Sequence, residues 1–362
     1  MRITNAMLVT NYMSNMQRNL SNMSTIQDQL SSSKNVSRAS ENPYVAVRTM
    51  QLNSEIRANA QYNTNIQDTT NWLNTTDTAL GQANNILRRI KELTIKAGNG
   101  AYGMDEVGAI KDEIVEKFKE FGQVLNTTFD GNYIFGGTKS TTKPVQVDDN
   151  GNIAYSDKDG NTFTVDSSGA IKNYKNRSGE NITDTQLAKT THDQIKASLK
   201  TEVSDGVTVD YNKTAVDILE FENKLGQPIN VMDKFSDIIK CLSVASGEAT
   251  ANVTLSDGTT IAKDKESDAL SKINGTLMTS LDYISQNVSK IRSGVGAVQN
   301  RMESAKKTNE EQNYNMTSIL SNTEDVDYTQ KSMEYAVLQT VYTATLQTSS
   351  KVLMNTLLDY VR

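Results

Sequence analysis

AVQNRMESAKKTNEEQNYNMTSILSNTEDVDYTQKSMEYAVLQTVYTATLQTSSKVLMNTLLDYVR, residues 297–362, runs for 66 residues without glycine or proline while apolar residues recur at helical spacing. Counted from slightly upstream, Leu270, Leu277, Ile284, Ile291, Val298, Ala305, Gln312 and Ile319 step by sevens. Four residues after each come Asn274, Leu281, Val288, Val295, Met302, Asn309, Met316 and Thr323. That is a sustained a/d seam, and a seam needs a partner helix. The first hundred residues supply one, because Val45, Leu52, Asn59, Ile66, Leu73, Leu80, Leu87 and Thr94 also step by sevens. At 1.5 Å per residue each helix is roughly 75 Å long. Two helices of equal length at opposite ends of the chain predict a mainly α fold. Its N- and C-terminal regions form a long antiparallel rod, and a β-rich domain is inserted at the tip. Leu52, Ile66, Leu73, Leu80 and Leu87 on one side, with Leu277, Leu281, Ile284, Val288, Ile291, Val298 and Met302 on the other, are the expected seam.

Composition agrees with a core one seam wide: 36% of residues are hydrophobic and 6% aromatic, and mean hydropathy is -0.52. No apolar run approaches the eighteen or so residues a membrane span requires, so membrane insertion is not expected. MRITNAMLVTNYM at residues 1–13 lacks the pattern of a cleavable secretory signal. The single cysteine, Cys241, excludes an intrachain disulfide, which suits a cytoplasmic protein or one that reaches the outside without oxidative cross-linking. A net charge of -6 gives no reason to expect nucleic acid as a partner. Its densest basic patch, Arg88, Arg89, Lys91 and Lys96, sits beside Glu92 and reads as a solvated helix face.

Residues 1–30 carry a helical stripe, Val9, Met16, Met23 and Leu30 by sevens, with Tyr12 and Ile26 three residues on. Between them lie mostly Asn, Ser, Thr and Gln, which make a marginal helix in isolation. The arm is therefore expected to order only against neighbours. SSSKNVSRASENP at 31–43 is a polar joint closed by a proline suited to a first helical turn. The long helix then runs from about Tyr44 to Ala97 and ends at Gly98, Asn99, Gly100 and Gly103. A shorter amphipathic helix follows through Val107, Ile114 and Phe121.

Asp130-Gly131, Gly136-Gly137 and Pro144 mark the exit from the helical region. From Val145 to Tyr174, β-prone runs alternate with turn sequences centred on Gly151, Gly160 and Gly169, as hairpins do. Val207, Val209 and Tyr211 are expected in another strand and 253–261 in another hairpin, while 232–242 is helical in period. At the far end Val337, Val341, Ala344, Thr348 and Val352 share one helix face, and Leu338, Tyr342, Leu346, Leu353 and Leu357 share another. A helix apolar on two faces expects more than one neighbour. The division this predicts is 1–42 as arm and joint, 43–137 as N-terminal rod, 138–230 as the β-rich insert, 231–323 as C-terminal rod with a candidate hairpin insertion at 248–263, and 324–362 as an assembly helix.

Nothing in the chain composes an active site, and no catalytic residue, cofactor or metal is expected. Asp157, Asp159 and Gly160 fit positions 3, 5 and 6 of a calcium loop, but Tyr155 would be position 1 and Asp166 would replace the glutamate at position 12. A hairpin turn is the better reading. His192 has no second histidine for a zinc pair or a triad and reads as a surface polar residue. Cys241 reads as a small buried hydrophobe. Gly136-Gly137-Thr138 lacks the spacing of a phosphate-binding loop.

Several segments resemble the flagellin superfamily, and within it the hook-filament junction proteins. MRITN at 1–5 and LSSSKNVSRASENP at 30–43 are similar to the family's joint between terminal arm and rod. ILRRIKEL at 86–93 with AGNG at 97–100 resembles its rod, DGNYIFGG at 130–137 resembles the junction proteins' exit from the rod, and SNTEDVD at 321–327 the return joint. LLDYVR at 357–362 resembles the junction proteins' C-terminal sequence, whereas filament flagellins usually run through a Gln-Ala-Asn-Gln type segment. Ser321 and Glu324 also have capping-box spacing for the last helix. The matches cover roughly 1–137 and 266–362.

The resemblance implies a non-enzymatic extracellular subunit exported by flagellar type III secretion. It implies as partners further copies of itself in a ring, the hook-side hook-associated protein 1, flagellin and an export chaperone. Val9, Tyr12, Met16, Met23, Ile26, Leu30, Val337, Leu338, Val341, Tyr342, Val352, Leu353 and Leu357 are the expected assembly interface. Filament flagellin is the alternative. A signalling coiled coil should carry a membrane span or charged flanking positions, and an enzyme carried on such a rod should place its chemistry in 138–265. Residues 87–93 are also a candidate for recognition by an innate flagellin receptor, although buried rod packing explains the same residues and is the better reading.

Overall fold

A computed structural model describes residues 5–36, 38–99, 102–166 and 169–354. By packing, the chain forms two compact units, one from residues up to Gln61 together with those from Thr308 onward, the other from Tyr62 to Lys307. Helices α1 (Asn5–Ser32) and α2 (Pro43–Ala97) lead the chain, and α8 (Met278–Glu324) and α9 (Tyr328–Met354) close it. The fold is mainly α, with long terminal helices and β-rich structure between them.

In the Tyr62–Lys307 unit, α2 and α8 run antiparallel. Lys91 pairs with Asp282, Asn84 Nδ2 donates to Ser289 Oγ at 3.0 Å, Asp77 accepts from Arg292 at 2.8 and 3.0 Å, and Asn74 accepts from Gln299 at 2.9 Å. As one number falls the other rises. Ile66, Leu73, Leu80 and Leu87 are buried here, as are Leu281, Ile284, Val288, Ile291 and Met302, and Val298 is half-buried. Threonines also occupy the buried face, since the hydroxyls of Thr69, Thr76 and Thr94 donate to the carbonyls of Asn65, Trp72 and Ile90 one turn back. This satisfies a buried hydroxyl without a partner helix. The Arg292 guanidinium, by hydrogen bond and charge, holds the Asp77 carboxyl below its usual range.

At the end of α2 the Asn274 amide donates to Gly98 O at 2.8 Å, and a Cβ on residue 98 would lie 1.8 Å from Asn274 Oδ1. Only glycine admits that approach. Asn274 stands in a π-helical segment, Ile273–Leu277, that joins α7 (Glu266–Lys272) to α8 and carries the buried Leu277.

Helix α3 (Met104–Leu125) packs on α6 (Val231–Ala245). Phe235 stacks on Phe118 with ring centroids 4.0 Å apart and meets Phe121 edge-on at 5.5 Å. Asn230 caps α6 by accepting from Met232 N at 2.9 Å. Cys241 is buried in the same core, and burial pushes its thiol up to about 12. Strands β1 (Thr128–Phe129) and β2 (Asn132–Tyr133) form a tight hairpin, with Asp130 and Gly131 both at positive φ.

Strands β3 (Val145–Val147), β4 (Ile153–Ser156), β5 (Thr162–Val165) and β6 (Ile171–Lys175) form one antiparallel sheet in chain order. Alternation puts Ile153, Tyr155, Phe163, Val165 and Tyr174 into the core. The Asp157 carboxylate accepts from Asp159 N, Asn161 N, Asn161 Nδ2 and Tyr174 Oη at 2.8–2.9 Å, so it closes a hairpin turn. Beyond the sheet come α4 (Gln186–Lys196), the hairpin of β7 (Lys200–Ser204) and β8 (Val207–Asp210), α5 (Ala215–Leu219), the hairpin of β9 (Glu220–Glu222) and β10 (Pro228–Asn230), and a last hairpin, β11 (Val253–Thr254) with β12 (Thr260–Ile261).

Three sequence expectations change here. His192 is half-buried instead of freely exposed, with Nε2 3.1 Å from Glu220 Oε1 and its ring edge-on to Tyr155, whose hydroxyl donates to the same carboxylate at 2.7 Å. Ser321 lies within α8 and donates to Asp325 at 2.6 Å, while Asp327 caps α9 by accepting from Thr329 N at 2.9 Å and Gln330 N at 3.1 Å. The strict sevenfold count also fails late in α8, where Gln312 and Ile319 are exposed and Asn313 and Leu320 are half-buried. Two turns of a straight helix take about 7.2 residues, so five heptads from Ile284 shift the inner stripe by about one residue.

In the terminal unit Leu52 and Asn59 of α2 are buried, and Asn59 Oδ1 has no hydrogen-bond partner. A buried unpaired carbonyl costs about 1–3 kcal/mol. Asn59→Leu is therefore expected to raise the melting temperature of this unit by several degrees in differential scanning calorimetry. A fall would show that Asn59 is required for the native packing.

Candidate assembly surfaces

The terminal unit pairs α1 with α9. A short antiparallel bridge joins Lys34 to Asp325, fixed by Asn35 N to Glu324 O at 2.6 Å, Val326 N to Ser33 O at 3.2 Å and Asn35 Nδ2 to Asp325 O at 2.8 Å. The Lys34 ammonium pairs with Glu324, and Ser33, at φ 62°, meets the Tyr328 hydroxyl. At the distant end Tyr12 Oη donates to Thr345 O at 2.8 Å. Low residue numbers of α1 thus meet high numbers of α9, and the helices are antiparallel.

Tyr12, Met16, Asn19, Met23, Ile26 and Leu30 make the inner line of α1, at alternating steps of four and three; Ile26 is buried and the others half-buried. On α9, Leu338, Tyr342 and Thr345 are half-buried. The composition of α1 predicts an arm ordered only by neighbours. Its own chain supplies the first of them, since α9 is apolar enough to cover one line of α1 and retain others.

The expected interface residues thus fall into two sets. Tyr12, Met16, Met23, Ile26, Leu30, Leu338 and Tyr342 serve the α1–α9 pairing, whereas Val9, Val337 and Val341 are exposed, Val337 by 61%. Val352 and Leu353 belong to α9, with side chains outside the described set, and Leu357 lies outside the described residues. Leu346 is exposed too, as are Met7, Met13, Leu20 and Met333, which are not singled out in the sequence. Met13 and Leu20 are seven apart and could have been found as a second line on α1. Leu346 is expected beside Leu338 and Tyr342, but Thr345 takes that position, because two successive steps of four overrun the roughly 7.2 residues of two helical turns.

Of the 19 large hydrophobic residues exposed among the described residues, 14 belong to the terminal unit, including Tyr44, Val47 and Met50 of α2 and Tyr314 of α8. Scattered exposed apolar side chains are ordinary, but a concentration of this kind marks a contact surface. Shallow grooves line the α1–α9 pair, one of about 600 Å³ between Thr25, Gln29, Met333 and Val337. Gln29 Oε1 is buried there without a partner. Charges are sparse; Lys331 bonds Glu334 at 2.9 Å and with Gln330 lowers the pKa of its carboxyl. Among the described residues no His, Cys, Asp and Glu cluster could hold a metal, and no helix is long and apolar enough to cross a membrane.

Residues 3–140 match the family model for the bacterial flagellin N-terminal helical region, and residues 278–360 match that for the C-terminal helical region; together they span more than half of the chain. A flagellin of Clostridium tyrobutyricum is 23% identical over 93% of this chain and 94% of its own length. A flagellin of Salmonella berta is 27% identical over 56% of this chain, which spans only 38% of that relative. Two solved structures share the fold. One, assigned to the flagellar hook-associated class of Vibrio parahaemolyticus, has TM-score 0.53 at 17% identity, covering 79% of this chain and 100% of the other. The other, FlgL of Xanthomonas campestris, has TM-score 0.51 at 13% identity, covering 75% and 99%.

Proposed function

The chain belongs to the flagellin family, and on that premise we propose that it is the subunit that joins hook to filament, of the hook-associated protein 3 type. It is a structural, non-enzymatic component of the bacterial flagellum. The observation that carries the assembly reading is the concentration of exposed apolar residues on α1, α9 and the adjoining parts of α2 and α8. A monomer gains nothing from Met333 and Val337 in water, but a neighbouring subunit that covers them recovers about 1.5–3 kcal/mol for each fully buried side chain. The junction reading is supported by residues 130–137 and 357–362, which resemble junction proteins, and by the fold shared with FlgL.

In this reading the chain passes unfolded through the flagellar type III export channel, held until then by an export chaperone. It assembles as a ring between hook-associated protein 1 and the first flagellin subunits, its α1 and α9 surfaces covered by adjacent copies. Filament flagellin is the second reading, favoured by the Clostridium tyrobutyricum relative that matches almost end to end. Deleting the gene separates the two. Loss of the junction subunit should leave hooks on the cell and release flagellin into the medium, measured by immunoblot and electron microscopy. Hooks without secreted flagellin would assign the chain to the filament.

A further inference from the structure

The unit Tyr62–Lys307 contains a groove unrelated to the terminal helices. It is a concave space of about 730 Å³ between the outer face of the β3–β6 sheet and one side of α6. Its floor carries amides and hydroxyls, Gln146, Asn152, Thr162, Thr164 and Asn173, interspersed with aliphatic side chains such as Ile153 and Met232, and no aromatic residue lines it. Lys175 and Arg177 stand at one side, and Asp233, Ser236 and Lys240 of α6 at the other. Arg177 is placed by a close contact: a Cβ on Gly160 would lie 2.5 Å from its Nε, so the guanidinium lies across the glycine of the 157–161 turn. Gly160 is at φ +80°, in a left-handed conformation that glycine adopts without penalty. No ion pair engages Lys175, Arg177 or Asp233 among the described residues, whereas Asp148 is bonded to Asn152 at 2.7 and 2.9 Å.

We propose that this groove binds an acidic oligosaccharide, with Arg177 and Lys175 on its carboxylate and the amide and hydroxyl floor, together with Asp233, on its sugar hydroxyls. Planar guanidinium and carboxylate groups pair with two parallel hydrogen bonds. A carboxylate such as Asp233 is an acceptor for sugar hydroxyls, and the floor both donates and accepts. Backbone pairing with a peptide is blocked along the central strands β4 and β5, each paired on both sides, which leaves only the outer strands β3 and β6 for it. The lining has no deep apolar pocket for side chains.

The test uses the full chain and tetragalacturonate as the probe, followed by isothermal titration calorimetry. Saturable one-site binding is expected, with maltotetraose at least about tenfold weaker because it lacks the carboxylates. Arg177→Gln with Lys175→Gln should weaken tetragalacturonate by about tenfold or more, and an unchanged melting temperature would confirm that the variant is folded. Tetraglutamate, which carries comparable charge but no sugar hydroxyls, separates the ligand classes and should bind at least about tenfold more weakly than tetragalacturonate. Absence of saturable tetragalacturonate binding, or tetraglutamate binding equally tightly, overturns the proposal. The assembly reading is untouched by either result, because these variants should support normal filaments.

Discussion

Cells that express the chain without Asp327–Arg362 are expected to export flagellin yet retain no filaments. The truncation leaves α8 whole to Glu324 and keeps the Val326 N to Ser33 O bond, but removes α9 entirely. With α9 go Leu338 and Tyr342, which cover the inner line of α1, and the exposed set Met333, Val337, Val341 and Leu346. Several such side chains at about 1.5–3 kcal/mol each make the difference between a stable and an unstable intersubunit contact. The Tyr62–Lys307 unit loses no residue, so its calorimetric transition should remain within about a degree or two of the full chain. Filaments of normal length on these cells would remove α9 from the assembly surface. A lost transition would instead show that the two compact units do not melt independently.

Phe235→Ala is expected to have the largest effect on stability. The ring stacks on Phe118 and meets Phe121 edge-on, so its removal takes away the common partner of two buried rings of α3. Truncating a buried phenylalanine typically costs about 3–5 kcal/mol. That is a large fraction of the roughly 5–15 kcal/mol by which a domain is stable. The urea midpoint of the Tyr62–Lys307 unit should fall by more than about 1 M, taking a slope of 1–3 kcal/mol/M. Phe235→Leu should recover more than half of the loss because it refills most of the volume. A shift of the midpoint by less than a few tenths molar would mean that α3 and α6 hold together through other contacts.

The long helices were legible because their signals are redundant. Pro43 opens α2, the glycines after Ala97 close it, and the apolar step of seven persists between, so no single misreading displaces the element. The hairpins were legible for a different reason: the chain must turn at Gly151, Gly160 and Gly169, all at positive φ, and strands fill the intervals. Less legible was whatever depends on residues far apart in sequence. The Asn274 contact with Gly98 and the position of His192 against Tyr155 and Glu220 are set by tertiary packing. Local propensity carries no information about either.

Helix ends and late register failed for a local reason. Ser321, Asp325 and Asp327 lie within seven residues, and all can bond backbone or side-chain groups near a helix end, so composition cannot choose among them. Five heptads also accumulate a one-residue drift that a fixed count ignores, which moved the inner line from Ile319 to Leu320. At the assembly surface, the sequence identified α1 and α9 as apolar on several sides. Which line faces the partner helix and which faces outward depends on the rotation of each helix, which tertiary packing sets.

The burial of Cys241 has a practical consequence. With its thiol enclosed in the α6 core and its pKa pushed to about 12, almost none of it is thiolate near neutral pH, and reagents cannot reach it while the fold is intact. The wild-type chain is in effect silent to maleimides. A cysteine installed at the tip of the β9–β10 turn, where Leu225 is 74% exposed, would be the single labelled position on each subunit. Leu225→Cys thus offers a fluorescent marker for counting subunits in place on a living cell, with the native Cys241 left in its sequence.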